Sequence, residues 1–224
     1  MHTNHEKPEI SYFFSGEFRE YRNLFAAHCP PPMKMHKGML LCRHGETKGW
    51  MYYLCRGQVK VYVSNYQGNE RMVAILGEDS VVGLDCFLGE KTSLMNIECM
   101  TDCWIMPLQS STMEALIREN PDFAVDLTRY YCKVMRQLCF DAENQSISSI
   151  LIRLSNFLKT TWDDAAHNRV SLSQQELAAA VNCSRASIAR VCSLLKKEGV
   201  IAPEGVGFRL LSLAKLDELC QKYQ

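Results

Sequence analysis

Hydrophobic and polar positions divide the chain into three textures. From about residue 33 to 107, short alternating runs are punctuated by Gly38, Gly45, Gly49, Gly57, Gly68, Gly77, Gly83 and Gly89. In Val59-Lys60-Val61-Tyr62-Val63 the apolar residues fall at every second position, the period of a half-buried strand. The pattern predicts strands at Met39–Cys42, Met51–Leu54, Gln58–Ser64, Arg71–Leu76 and Ile97–Met106. Tyr66–Glu70, with Gly68 free to take a positive φ, reads as a hairpin turn. Many short strands in succession predict an antiparallel barrel or roll.

The second texture is helical. Between Leu108 and Gly199 there is no glycine and a single proline, Pro121. A long helix is predicted from about Phe123 to Glu143. Leu127, Tyr131, Val134, Leu138 and Asp141 are spaced four, three, four and three, a short heptad seam. That seam fits packing on the helix's own domain or pairing with a second copy. Beyond it, Ile147–Leu158 reads as an amphipathic helix and Asp163–Asn168 as a polar loop. Two short helices follow, Gln174–Val181 and Arg185–Glu198. Val200–Leu211, with Pro203, Gly205 and Gly207, reads as a hairpin. No internal repeat is visible.

Composition narrows the class. The chain has 224 residues, 47% hydrophobic and 22% charged, as in globular domains rather than disordered chains. No apolar run reaches the roughly 20 residues that span a bilayer, so no membrane partner is expected. Met1–Ile10 lacks the apolar core of a signal peptide, so a cytoplasmic location is expected. Basic and acidic residues balance at 25 each. The balance hides an asymmetry: residues 1–144 carry a net charge of −3 and residues 145–224 a net of +3. A basic C-terminal part hints at nucleic acid. The 11 cysteines form no CxxC pair, and most are expected to be buried thiols in a reducing compartment.

The most specific motif runs from Ser173 to Leu195. Leu177, Val181, Ile188 and Val191 hold two helices together, and Ala178 is small where they approach. Asn182 sits at the turn, where asparagine tolerates positive φ. Ser184 can cap the second helix. This is a helix-turn-helix pattern. Ser184, Arg185, Ala186, Ser187 and Arg190 lie toward the start of the second helix, the end that enters the major groove. Each arginine can donate a fork of hydrogen bonds to guanine O6 and N7. Ser173 and Gln174, opening the first helix, and Lys196, closing the second, are placed for the backbone of double-stranded DNA.

These residues carry a resemblance. QELAAAVNCSRASIAR resembles the helix-turn-helix of the family of the cAMP receptor protein and the fumarate-nitrate reduction regulator. Lys37-Gly38, Gly45-Glu46, Tyr52-Tyr53-Leu54, Gly57, Val59-Lys60-Val61, Gly77 and Gly83 resemble the glycine frame of its sensor barrel. The resemblance covers about residues 33–220. It implies an α+β chain: an antiparallel cyclic-nucleotide-binding-like barrel or roll (1–115), a long dimerisation helix (116–144) and a C-terminal winged helix-turn-helix (145–224). It also implies a homodimer on a palindromic site, with Leu127, Tyr131, Val134 and Leu138 in the dimer seam, and contact with RNA polymerase. A hinge is expected near Asp141–Ser146, where an effector would favour the placement that spaces two recognition helices about 34 Å apart.

Two departures bear on mechanism. Ala186 stands where many members have a glutamate that accepts from cytosine N4, so A·T is expected at that base pair. In Gly83-Leu84-Asp85-Cys86-Phe87-Leu88-Gly89-Glu90-Lys91-Thr92-Ser93, Leu84 replaces the ribose-binding glutamate of cyclic-nucleotide members. No arginine occurs between Arg71 and Arg118 to clamp a cyclic phosphate, and Lys91 would substitute only as a point charge. A cyclic nucleotide is therefore not expected.

The N-terminal cysteine cluster of iron–sulfur members is absent, and His36 and His44 are haem candidates by residue type alone. No cofactor or metal is expected. The remaining expectation is a small molecule between barrel and long helix, an aromatic acid or phenol as in the subgroup sensing aromatic anions. Gly83, Leu84, Asp85, Cys86, Phe87, Leu88, Cys99 and Trp104 would line the cavity. Tyr130 and Lys133, three apart on one helix face, would hold the anion. Two alternatives stay open: a thiol-responsive regulator of the same fold, and a ligand-binding module whose helix-turn-helix contacts protein. No GxGxxG, GxxxxGK, HExxH or GxSxG occurs, so no enzyme is expected.

Overall fold

In the computed structural model the described residues are 10–46, 50–64, 70–88, 92–160 and 168–222. The expected turn around Gly68, Lys91 and most of the expected loop at Asp163–Asn168 lie outside them. Contacts divide the chain into two units, Phe13–Met135 and Met1–Tyr12 with Arg136–Gln224.

The first unit is a two-sheet β-roll with flanking helices. Its strands are β1 (Phe13–Phe14), β2 (Met33–Met35), β3 (Leu40–Cys42), β4 (Trp50–Arg56), β5 (Val59–Ser64), β6 (Glu70–Leu76), β7 (Ser80–Val82), β8 (Asn96–Cys99) and β9 (Cys103–Gln109). One sheet has the order β1-β6-β5-β8-β3 and the other β2-β9-β4-β7. Every pairing is antiparallel except β1 with β6. The alternating run of β5 keeps its predicted period as far as Val61; a register shift between Val61 and Tyr62 then buries Tyr62 and leaves Val63 half-buried. Val59 and Val61 are buried, and Lys60 pairs across the strands with Glu98 at 3.1 Å.

The expected single strand Ile97–Met106 is instead β8 and β9, parted at Met100–Asp102. Asp102 explains the break. It accepts from the Lys37 amide and pairs with Lys34, bonds a straight strand would not leave open. β1, β2 and β7 were not anticipated.

The roll's core is rich in aromatics. Phe18, Phe25, Tyr53 and Phe123 are fully buried. Phe25 stacks on Tyr53, and Phe123 meets Phe18, Tyr21 and Phe25 edge-on. Phe25 comes from α1 (Arg22–His28), and Met113 and Leu116 from α2 (Ser110–Glu119). Phe123 comes from α3 (Pro121–Ile147), the long helix.

α3 runs unbroken through the expected hinge at Asp141–Ser146, and the chain leaves helical geometry only at Ser148–Ser149. α4 (Ile150–Thr160) then begins, with the Ser149 hydroxyl accepting from the Ile152 amide. Phe123, Leu127, Tyr130, Val134, Gln137 and Asp141 form its inward stripe. Val125, Tyr131, Met135 and Leu138 are exposed large apolar residues on the same helix.

The second unit is a winged helix-turn-helix. Its elements are α4, β10 (Arg169–Val170), α5 (Gln174–Ala180), α6 (Arg185–Lys197), β11 (Ile201–Glu204), β12 (Gly207–Leu210) and α7 (Leu213–Lys222). The three strands pair in the order β10-β12-β11. Leu154, Phe157, Leu158, Leu177, Ile188, Leu195, Val200 and Leu216 close its core. A Cβ on Gly207 would stand 1.8 Å from the Val170 carbonyl oxygen, so only glycine lets β12 lie against β10.

Candidate nucleic-acid interface and effector site

The turn between α5 and α6 is built from local hydrogen bonds. Ser173 Oγ accepts from the Glu176 amide at 3.2 Å, and Glu176 Oε2 accepts from the Ser173 amide at 2.7 Å, a complete capping box. α5 ends at Val181, and Asn182 takes φ +50°, as its place in the motif predicts. The Cys183 amide donates back to Ala178. Ser184 Oγ then accepts from the Ser187 amide at 3.1 Å and caps α6. At the far end Gly199 takes φ +67°, and the Gly199 and Val200 amides donate to Lys196 and Leu195. That Schellman closure fixes where the recognition helix stops.

α6 presents its candidate residues outward. Arg185, Ala186, Arg190 and Lys196 are exposed and Ser187 is half-buried. Arg190 donates to Ser187 Oγ at 3.2 Å, which steadies its guanidinium. Among the described residues, neither Arg185 nor Arg190 has an acidic partner. The Ser173 and Ser184 oxygens are engaged as caps, and the Ser184 hydroxyl also lies 3.0 Å from Ser187 Oγ. Gln174 is exposed on the first turn of α5.

The wing adds two cations that the motif does not include. Arg169 and Arg209 are cross-strand partners, and Glu204 sits between them, 4.0 Å from the first and 2.7 Å from the second. Arg209 was legible as the outward residue of Phe208-Arg209-Leu210. A cavity of about 290 Å³ lies under the wing, lined by Leu177, Cys192, Lys196, Pro203, Val206 and Phe208 among others.

The expected effector residues do not all meet. Gly83 takes φ +80°, and a Cβ there would approach the Trp50 carbonyl at 3.2 Å, so the chain enters the following 3₁₀ turn, Leu84–Leu88, only through glycine. Leu84 and Phe87 are partly buried against the core and Cys86 is buried. The Leu88 side chain lies outside the described set. Asp85 Oδ2 accepts from Ser93 Oγ at 2.8 Å and from the Leu94 amide at 3.1 Å. Ser93 thus ties down the loop on the far side of residues 89–91.

Three of the expected residues are placed as follows. Tyr130 is buried in the aromatic cluster, edge-on to Phe14 and Phe18, and burial raises its phenol pKa. Lys133 turns to Glu17, 2.7 Å away. Trp104 is exposed on the outer face of β9, beside Lys34 and Arg56 in register. Helical geometry separates Tyr130 from Tyr131 by about 100°. It is Tyr131 that feels Asp85: burial first and that carboxylate second raise its pKa.

The residues of the expected dimer seam are divided between two faces. Leu127 and Val134 pack on the roll's own core, whereas Tyr131 and Leu138 are exposed. The outward apolar stripe is Val125, Tyr131, Cys132, Met135, Leu138 and Cys139.

A β-roll sensor fold and a winged helix-turn-helix on one chain, linked through a long helix, define a class of DNA-binding regulators with an effector-binding domain. Residues 32–120 match the family model for the cyclic nucleotide-binding domain, and residues 146–219 match the Crp-like helix-turn-helix domain. The cAMP-activated global transcriptional regulator CRP of Salmonella typhimurium is 22% identical over 188 residues, 81% of this chain and 89% of that protein. The cyclic AMP receptor protein of Thermus thermophilus is 24% identical over 165 residues, 74% of this chain and 76% of that one. Among solved structures, the c-di-GMP responsive global regulator CLP of Xanthomonas campestris superposes with a TM-score of 0.77 at 19% identity, covering 87% of this chain and 99% of that one. The chain belongs to the CRP/FNR family of transcription regulators.

Proposed function

We propose that the protein is a homodimeric, sequence-specific DNA-binding regulator whose effector is a small molecule other than a cyclic nucleotide. One observation carries the DNA-reading half: Arg185 and Arg190 project from a doubly capped helix with no acidic partner among the described residues. Two forked cations held in fixed register suit guanine edges in the major groove. The outward stripe of α3 is the surface for a second copy, because an exposed apolar heptad face needs a partner.

The effector reading rests on Asp85 and its neighbours. Ser93, Cys86 and Cys42 surround that carboxylate, and no arginine lies between Arg71 and Arg118. A cyclic phosphate placed there would meet a carboxylate and no guanidinium, at a large desolvation cost. An aromatic acid or phenol stays the proposed class, with Leu84 and Phe87 as its apolar contacts. Lys133 is paired with Glu17, which favours a phenol over an acid: a hydroxyl can donate to Asp85. No resident cofactor or metal belongs to this reading.

The test is selection of bound duplexes from a randomised DNA library at several salt concentrations. The expected product is an inverted repeat with guanines at the arginine positions and A·T opposite Ala186. Binding that is weak and without sequence preference, with or without added phenols, overturns the proposal and favours the protein-contact alternative.

A further inference from the structure

The cavity under the wing belongs wholly to the second unit, since the residues lining it lie between Leu172 and Phe208. Its walls are held in place. Gly207 keeps β12 against β10, and the closure at Gly199 fixes the end of α6. One wall is a single face of α6: Ala189, Cys192, Ser193 and Lys196 follow at intervals of three, one and three, neighbours on successive turns. The wing contributes Val206 and Phe208, and the buried Leu172 and Leu177 complete an apolar lining. Val206 is 80% exposed, so its side chain has room for a further apolar contact.

Charge and size decide what fits. Among the described lining residues Lys196 carries a positive charge and none is acidic. Lys196 is exposed, and its ammonium has no acidic partner among the described residues. Ser193 Oγ donates to the Ala189 carbonyl at 2.9 Å, which leaves the ammonium as the strongest free donor on this face. Burial first, then the Cys183 thiol, raise the Cys192 pKa, so that wall adds no negative charge. The volume of about 290 Å³ falls just below the roughly 300–1,000 Å³ of pockets for drug-sized ligands, and roughly 150 Å³ holds a benzene. One ring with a short charged substituent fits that space, and a nucleotide exceeds it.

We propose that the cavity under the wing binds a carboxylate carried on a single aromatic ring, the ring against Leu177, Val206 and Phe208 and the carboxylate on Lys196, and that this ligand competes with DNA. Lys196 and Gln174 both line the cavity and are both placed for the DNA backbone, so an occupied cavity takes the ammonium from its phosphate. The ligand is thus an antagonist acting on the reading domain itself. It differs in charge from the ligand proposed for the sensor. Asp85 opposes an anion there, whereas no described acid lines the wing cavity. The binding site stands on the cavity alone; its competition with DNA rests on the reading under Proposed function.

The full chain, kept reduced, is dialysed to equilibrium against labelled benzoate, with labelled benzamide as the neutral isostere. The place of binding is read from the rate at which N-ethylmaleimide alkylates Cys192, followed by peptide mass. Benzoate should bind and slow the alkylation of Cys192 while leaving that of Cys132 and Cys139 unchanged. Lys196→Met, at an exposed position that keeps the fold, should weaken benzoate binding about tenfold, and benzamide should bind the parent correspondingly less well. No binding of benzoate, equal binding of benzamide, or binding untouched by Lys196→Met overturns the proposal. Should Cys192 fail to react in the native chain, the Lys196→Met comparison decides alone. In a second arm, benzoate should displace the selected duplex, with acetate at equal concentration correcting for salt. Bound benzoate that leaves duplex affinity unchanged overturns the competition. A chain that binds no duplex without benzoate instead overturns the DNA-reading proposal and the competition with it, and the dialysis still reports on the cavity.

Discussion

Tyr12 donates its phenolic hydrogen to Asp141 Oδ1 at 2.8 Å, and both side chains are 3% exposed. This pairing explains an acidic residue in the apolar register of α3. Asp141 interrupts the heptad as a sequence but is satisfied within the fold. Tyr12 also packs its ring on Phe157 of α4, with centroids 5.2 Å apart. Tyr12→Phe keeps the ring and deletes the donor. A buried bond to a carboxylate is worth about 1.5–3 kcal/mol, so the urea midpoint should fall accordingly. An unchanged midpoint would mean that the other contacts of Asp141 suffice.

Asp79 predicts an acid response. It is 1% exposed at φ +59°, accepts from Tyr53 at 2.7 Å, and pairs with Arg19 and Arg22. Burial raises its pKa, but the bonds from Tyr53, Arg22 and Arg19 together outweigh it and leave the pKa below the ordinary 3.8. The folded value is thus depressed. Its stabilisation is present above the unfolded-state value and is lost as pH falls through the folded one. Stability measured by urea between about pH 5 and about pH 2 should drop more steeply in the parent than in Asp79→Asn. Parallel curves would remove Asp79 from the acid transition.

Arg185→Ala and Arg190→Ala should each weaken binding to the selected duplex by about 1–3 kcal/mol and relax the preference at one base pair per half-site. Lys196→Ala should weaken all sequences alike and reduce the salt exponent by about one. Competition binding on a panel of single-base variants separates the two behaviours. Uniform loss for an arginine variant would reassign that side chain to the phosphates.

Met135→Lys places a charge in the middle of the outward stripe of α3, where the native side chain is 62% exposed. Little change in the stability of the roll is expected, and sedimentation should shift from dimer to monomer. A dimer that persists would move the pairing surface elsewhere.

Lys133→Ala removes an ion pair whose lysine side chain is 54% exposed, so solvent screening limits its worth to about 0–1 kcal/mol. Thermal shifts produced by a panel of phenols should be unaffected, whereas Phe87→Ala should reduce them. Loss of the shift in Lys133→Ala would restore the lysine to the effector site.

The helix-turn-helix was legible almost to the residue, because caps, turn asparagine and small residues are local signals. α5 and α6 end within one residue of their predicted limits. The alternation of β5 was equally plain as far as Val61, where a register shift ends it. β1 and β2, two and three residues long, are too short to show a period, and α7 (Leu213–Lys222) was not anticipated. The residues of the expected dimer seam, and Tyr130 and Lys133, are parted in the structure for one physical reason. α3 has an inward and an outward apolar face, and Leu127, Tyr131, Val134 and Leu138 straddle their border. Spacing alone assigns all four to one face, and only the burial of Leu127 and Tyr130 divides them.

The outward stripe of α3 carries Cys132 and Cys139, both exposed and seven residues apart, so they occupy the same place in successive heptads. In a parallel pair of copies, equivalent places lie side by side, and air alone can join them during purification. A band of doubled mass on a gel run without reductant would then report how near the two helices lie. Samples stored without reductant would drift toward a covalently trapped population, and their exchange of subunits would stop before any effector was added.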